Sequence, residues 1–342
     1  MEQIALIDGS MVLYWRTIVI AAGVLTSVLL YFGLYSANPF RSFRGAAAVP
    51  LAALLGMLLG RLIQWYGKPS LYTGLMDALM DFDGDYALLG VFAGCILAVL
   101  LLHPGKNHEA AAALDCMSVA GTAGLCLGRL VHFFDSADRG TILENLHALP
   151  FAYPITNTVS GQQEYRFATF VVQAIFAGVL LCFLAGAYIR AYHAAKVRPG
   201  RVTLLFILLY CSSQIVLDST RYDSMAFHSN GFVSVVQVFS AIAVVAAVGI
   251  ASAQAVRENG MRAQYVLAWI FAAAMLGIAG YMEYYVQRHG SRALFAYSVM
   301  SAALAALDGA AMLLLRRGKT ALRGKENLRS TSGKGGRYLA QK

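Results

Sequence analysis

The sequence predicts an all-α polytopic integral membrane protein of about nine transmembrane helices, with the N-terminus outside and the C-terminus cytoplasmic. Three observations predict it. The 342 residues are 58% hydrophobic and only 13% charged, whereas a soluble chain carries about 25% charged residues. So little polar surface cannot coat an exterior in water, and lipid has to be most of the solvent. Apolar runs long enough for a hydrocarbon core of about 30 Å recur along the chain. Finally, the basic residues are distributed unevenly between alternate loops, as the positive-inside rule requires.

The runs fall at approximately 11–36, 45–65, 86–103, 111–134, 167–193, 202–220, 231–255, 264–285 and 294–315. Residues 1–10 hold Glu2 and Asp8 and no basic segment, so no cleaved signal peptide is expected. One set of loops carries Arg41, Arg44, Lys106, Lys196, Arg198, Arg201, Arg257 and Arg262, and these loops are predicted to be cytoplasmic. The other set holds most of the acids, including Asp77, Asp81, Asp135, Asp138 and Glu164. A loop at 66–85 is expected to contain helical patches, and the longer loop at about 135–166 is expected to form a small external head.

The sequence thus divides into a membrane core (1–255), an appended two-helix hairpin (256–317) and a basic tail (318–342). Nine Lys and Arg lie between Arg316 and Lys342, against the single acid Glu326. Gly, Ser and Lys dominate the tail, which predicts disorder. Its charge suits a cytoplasmic anchor near anionic lipid rather than nucleic acid, because only Tyr338 offers a stacking surface. All five cysteines sit in apolar stretches without CxxC spacing and read as small buried hydrophobes.

Ionisable residues at membrane depth are costly and point to a functional cavity. Arg61 lies in the second run, Asp115, Arg129 and His132 in the fourth, and Gln214, Asp218 and Arg221 in the sixth. At 100° per residue, Asp115, Ser118, Thr122, Cys126 and Arg129 form one stripe, with His132 a turn beyond. Tyr210, Gln214 and Arg221 share a face, flanked by Asp218. Singly, each has a structural explanation: Arg61 snorkelling, Asp218 and Arg221 as an ion pair, His132 as an interfacial histidine, Glu283 within an aromatic belt and Asp308 in packing. Three arginines at one depth on three spans together suit a phosphate, which guanidinium forks bind bidentately. A phospholipid headgroup is the expected ligand.

With these residues in view, roughly 11–255 resembles the prolipoprotein diacylglyceryl transferase family. Leu13-Tyr14-Trp15-Arg16 with Gly23 is similar to the family's aromatic opening, and Gly60-Arg61-Leu62 with Trp65-Tyr66 to its second-span pattern. Asp115 followed by Gly128-Arg129-Leu130-Val131-His132-Phe133 resembles its signature of Asp leading to Gly-Arg-x-Gly-Asn-Phe. Arg166 to Gln173 resembles the segment opening the fifth span, which in the family usually ends on Glu. Gly200, Tyr210, Gln214, Asp218 and Arg221 resemble the sixth-span pattern of Tyr, Arg, Glu and Arg. The sequence departs from the family at Leu88-Leu89-Gly90, where a His-Gly-Gly is usual, at Val131 and His132 (Gly and Asn), at Gln214 (Arg) and at Asp218 (Glu).

The resemblance implies a bacterial, multi-pass plasma-membrane enzyme of lipoprotein biosynthesis. Such an enzyme moves diacylglyceryl from phosphatidylglycerol to the lipobox cysteine thiol of a prolipoprotein signal peptide. Its expected catalytic residues are His132, Arg129, Arg221 and Asp218; substrate binding is expected from Arg61, Gln173, Gln214, Tyr210 and Trp15. No metal or nucleotide motif is present, so no cofactor is expected, and nucleic acid is not an expected partner. The alternatives are a phospholipid-binding member without catalysis, a transferase acting on another lipid headgroup, and a transporter.

Overall fold

The computed structural model describes residues 4–8, 11–81, 86–134, 139–140, 142, 151–156, 161–193, 198–222, 224–225, 233–289 and 292–335, with only the backbone described beyond Leu315. Among the described residues, ten α-helices carry the fold: α1 (Trp15–Ser36), α2 (Phe43–Gly67), the short α3 (Leu75–Met80), α4 (Leu88–Leu102), α5 (Asn107–Leu130), α6 (Thr169–Tyr192), α7 (Arg201–Ser219), α8 (Val235–Asn259), α9 (Ala263–His289) and α10 (Ala293–Gly335). Among the described residues, 8 helices are long and apolar enough to cross a membrane, and α4 is a shorter apolar helix of 15 residues. The protein is an all-α polytopic membrane protein.

Two small antiparallel ribbons accompany the helices: β1 (Ile4–Asp8) with β2 (Met11–Tyr14), and β3 (Ala152–Thr156) with β4 (Gln163–Phe167). The first run, read from sequence as 11–36, therefore starts as strand and becomes helix only at Trp15. Hydropathy sums over both conformations alike, so it cannot mark the change. Of the loop expected at 135–166, residues 139, 140, 142, 151–156 and 161–166 are described; the remainder lies outside the described residues.

The chain forms two compact units, 1–240 and 241–342. In the second unit, α9 packs on α10, and Trp269 donates from Nε1 to Ser252 Oγ at 3.2 Å. The helix of α10 continues through Gly335. Ala, Leu, Arg, Lys and Glu are strong helix formers, and here they outweigh the interspersed glycines. Residues 336–342 lie outside the described residues.

In the first unit, α2 and α4 touch backbone to backbone. A Cβ at Gly94 would fall 2.4 Å from Gly56 N, and one at Gly90 would fall 2.3 Å from Leu59 O. Small residues allow this approach in membranes, where dispersion rather than water exclusion drives association. Helix α1 lies along α5 through Gly23, Ser27, Gly124 and Leu127. Successive helices alternate in direction: the end of α5 meets the start of α6, which meets the end of α7, while the first half of α5 meets the end of α6 and the start of α7.

That opposite end is organised by Asp115, which is fully buried. One carboxylate oxygen accepts from Tyr192 Oη at 2.9 Å and Gly200 N at 2.8 Å; the other accepts from Thr203 N and Thr203 Oγ1, both at 2.8 Å. Gly200 is the N-cap of α7, so an anion sits on that helix's unpaired amides. Asn38 extends the network by donating to Tyr188 Oη at 3.0 Å. Asp115→Ala is expected to cost about 2 kcal/mol, the order of one charged hydrogen-bonding group. A lower thermal unfolding midpoint in detergent would register this loss, with Asp115→Asn falling in between.

Candidate functional site

The other end of the first unit gathers the groups that could do chemistry. Helix α5 stops at Leu130 and tightens into a 3-10 turn, Val131–Phe133. Arg129, half-buried, occupies the last α-helical turn, and His132 lies in the 3-10 turn. The His132 ring stands edge-on to Phe170, with centroids 6.2 Å apart, and Phe133 does the same at 4.8 Å. Phe170, in the first turn of α6, is fully buried.

Arg139, within the stretch expected to form an external loop, holds this turn in place. It is 4% exposed. Its Nη2 donates to His132 O at 2.7 Å. Its guanidinium carbon lies 4.3 Å from the Tyr153 ring centroid and 4.5 Å from that of Phe170. The backbone on either side is clamped as well. Tyr222 N donates to Arg139 O at 2.9 Å, and Gly140 N donates to Phe167 O at 2.8 Å. Gly140 also pairs with Arg221 as a β-bridge. The end of β4, residues 139–140 and the end of α7 are thus joined. The Arg166 guanidinium over the Tyr222 ring, at 4.7 Å, adds to the join.

Asp218 is 1% exposed. Its Oδ1 lies 3.4 Å from Arg221 Nη1, and its Oδ2 accepts from Ser234 Oγ. Ser234 and Gln237 form a reciprocal cap at the start of α8: Gln237 N donates to Ser234 Oγ and Ser234 N to Gln237 Oε1, both at 3.0 Å. Gln237 Nε2 then reaches back to Ile215 O at 3.0 Å. The hydroxyls of Thr169 and Thr220 meet at 3.0 Å, joining the start of α6 to the end of α7.

Gln173 lies one turn into α6 from Phe170 and is 3% exposed. Neither its Oε1 nor its Nε2 has a hydrogen-bond partner among the described residues. Burying an amide without a partner costs about 1–3 kcal/mol. Gln214 is buried a turn before Asp218, and its Nε2 donates to Ser213 Oγ at 3.4 Å. Tyr210 lies deeper, stacked on Phe206 and edge-on to Phe92 of α4, with centroids 5.3 and 5.4 Å away.

Arg61 reaches this end from α2 and is 3% exposed. Its described contacts lie in the α2–α4 segment: Tyr72 Oη at 3.4 Å, Asp81 Oδ2 at 3.7 Å and the Tyr86 ring at 4.4 Å. Trp15, 44% exposed, stacks on Phe134 with centroids 6.3 Å apart, at the rim. The structure therefore ties His132 and the Asp218–Arg221 pair into one hydrogen-bonded and aromatic assembly through Phe170, Arg139 and Gly140. Arg61 and Trp15 sit in separate local settings beside it. Among the described residues, no three His, Cys, Asp or Glu side chains form a set that could hold a metal ion.

Polytopic helices with buried guanidinium groups, and an amide unsatisfied among the described residues at one helix end, define the class as a membrane protein with a polar cluster at one end of its bundle. The family model for prolipoprotein diacylglyceryl transferase matches residues 3–253, and the chain belongs to that family. Proteins named phosphatidylglycerol–prolipoprotein diacylglyceryl transferase are among its relatives. The one from Thermotoga petrophila is 26% identical over 173 residues, which is 50% of this chain and 57% of the relative's own length. The one from Listeria innocua is 22% identical over 271 residues, 76% of this chain and 92% of the relative. The one from Nitrobacter winogradskyi is 30% identical over 140 residues, 41% and 46% respectively.

A Cβ at Gly140 would lie 2.8 Å from Phe167 Cβ and 2.9 Å from Thr220 O. Gly140→Ala should therefore part the β4 end from the α7 end while leaving the helices packed. Faster proteolytic cleavage in the 139–167 region, at an unchanged helical content, is the expected result.

Proposed function

We propose that this chain transfers the diacylglyceryl group of phosphatidylglycerol to the lipobox cysteine thiol of prolipoproteins in a bacterial plasma membrane. One observation carries the reading. The Arg129–His132 turn and the Asp218–Arg221 pair end two neighbouring helices at the same end of the bundle, with the unpartnered Gln173 amide buried one turn below. Family membership and the relatives' names support the same substrates. In this reading that end of the bundle faces outside, as does the N-terminus, and the basic C-terminal segment is cytoplasmic.

The chemistry required suits these residues. A thiol with an ordinary pKa of about 8.5 has to lose its proton to become an effective nucleophile. His132 accepts that proton. The sulfur attacks the glycerol carbon that bears the phosphate, so a C–S bond forms while the C–O bond breaks. The bonding pair leaves on a phosphate oxygen, and glycerol phosphate departs. Arg129 and Arg221 meet the charge growing on that phosphate, a role for fixed cations that need no reorganisation in a dry site. Asp218 orients Arg221, and Arg61 supports the cavity from α2. Gln173 and Gln214 hydrogen-bond the headgroup glycerol or the peptide, while Tyr210 and Trp15 contact the lipid's apolar part.

Purified protein given labelled phosphatidylglycerol and a lipobox peptide is expected to yield thioether-linked peptide. Saturable lipid binding with unmodified peptide would instead make the chain a lipid-binding member without catalysis. Arg129→Ala and Arg221→Ala should each lower turnover by about 10²–10³-fold, the order reported for losing one charge-stabilising donor, in protein that still inserts and folds. Full activity in both would remove the phosphate clamp. His132→Asn, which installs the family's usual residue, tests whether the imidazole takes part: retained turnover would exclude it as the base.

A further inference from the structure

We infer that Arg139 is a positioning residue for the transfer reaction, acting through His132; this rests on the function proposed above. The argument is geometric. His132 does not belong to the regular part of α5, since the helix has already tightened into its 3-10 turn. The carbonyls at such an end have no partners within the helix, and the His132 carbonyl takes the Arg139 Nη2 at 2.7 Å. The guanidinium making that bond cannot wander. Tyr153 of β3 and Phe170 of α6 lie within 4.5 Å of its central carbon, and the side chain is 4% exposed.

Phe170 is common to both groups, because the His132 ring stands edge-on to it as well. One aromatic ring therefore sets the imidazole relative to the guanidinium, and the guanidinium sets the backbone that bears the imidazole. The same residue's carbonyl accepts from Tyr222 N, the neighbour of Arg221. Arg139 thus couples the candidate base on one helix end to the candidate phosphate clamp on another without having to touch substrate. Lysine could supply the charge and one donor but not a flat face to lie against two rings.

The test separates positioning from simple bracing. Arg139→Ala should lower kcat by about 10²-fold, the order expected for a misplacement near 1 Å, while KM for phosphatidylglycerol stays within about twofold. Arg139→Lys should recover part of that loss. In a His132→Ala background, removing Arg139 should change kcat by no more than about twofold, because residues acting as one unit are not additive. Losses that multiply in the double variant, or a loss confined to KM, would overturn the proposal. Amide hydrogen exchange over residues 129–134 supplies a readout independent of turnover. Arg139→Ala should speed it while the thermal midpoint stays within a few degrees, and unchanged exchange would overturn the proposal. Should the unaltered protein transfer nothing at all, the proposed function falls, and the exchange experiment still decides whether Arg139 holds the turn.

Discussion

A charge placed among lipid tails has to find its counterpart inside the protein, and that constraint orders the molecule. Asp115 answers it with the amide end of α7, Asp218 with Arg221 and Ser234, and Arg61 with Asp81 and tyrosines. In water each arrangement would be a modest contribution to stability. In a medium with no solvent to replace a lost partner, each fixes which helices are neighbours and how far one has slid along the next. The two clusters then have different consequences. Asp115 closes on groups of the protein itself, while at the opposite end the Gln173 amide has no hydrogen-bond partner among the described residues.

The assembly around Arg139 shows how a small extramembrane ribbon governs a residue at membrane depth. Neither β3–β4 nor residues 139–140 could fold alone, since a two-stranded ribbon is marginal by itself. Their stability is drawn from Phe170 and the end of α7, and in return they fix the 3-10 turn. An alternation of helix directions makes this possible. It brings the end of α5, the start of α6 and the end of α7 to one level, although these lie far apart in sequence.

Much of the fold is readable from the chain because hydrophobicity and length are local properties. The run at 111–134 and the helix Asn107–Leu130, or the run at 202–220 and the helix Arg201–Ser219, differ by only a few residues. The ribbon at Ile4–Tyr14 escapes because it is apolar and continuous with α1. The site is partly readable: Asp218 in the last turn of α7 and Arg221 just beyond its end, three residues apart, do pair. The stripe from Asp115 to Arg129 is a real helical face, yet it spans about 21 Å of rise at 1.5 Å per residue, so its two ends serve different purposes. Arg139 could not be found by spacing, because its partners at Tyr153 and Phe170 become neighbours only once β3 and α6 are in place. The adjacent Gly140 was the available signal, as a glycine beside a cation in a polar loop marks close approach only when the approaching chain is known.

The length of α4 has a consequence for the helix beside it. Fifteen residues rise about 22 Å as helix, well short of the hydrocarbon thickness, and Ile96, Leu97, Leu100 and Leu101 present their side chains outward. Its glycine seam with α2 fixes it too closely for a tilt of its own. Its apolar length is therefore complete only together with α2, whose 25 residues run alongside it. The two helices thus behave as one thick element, and a side chain that enlarged Gly90 or Gly94 would split it.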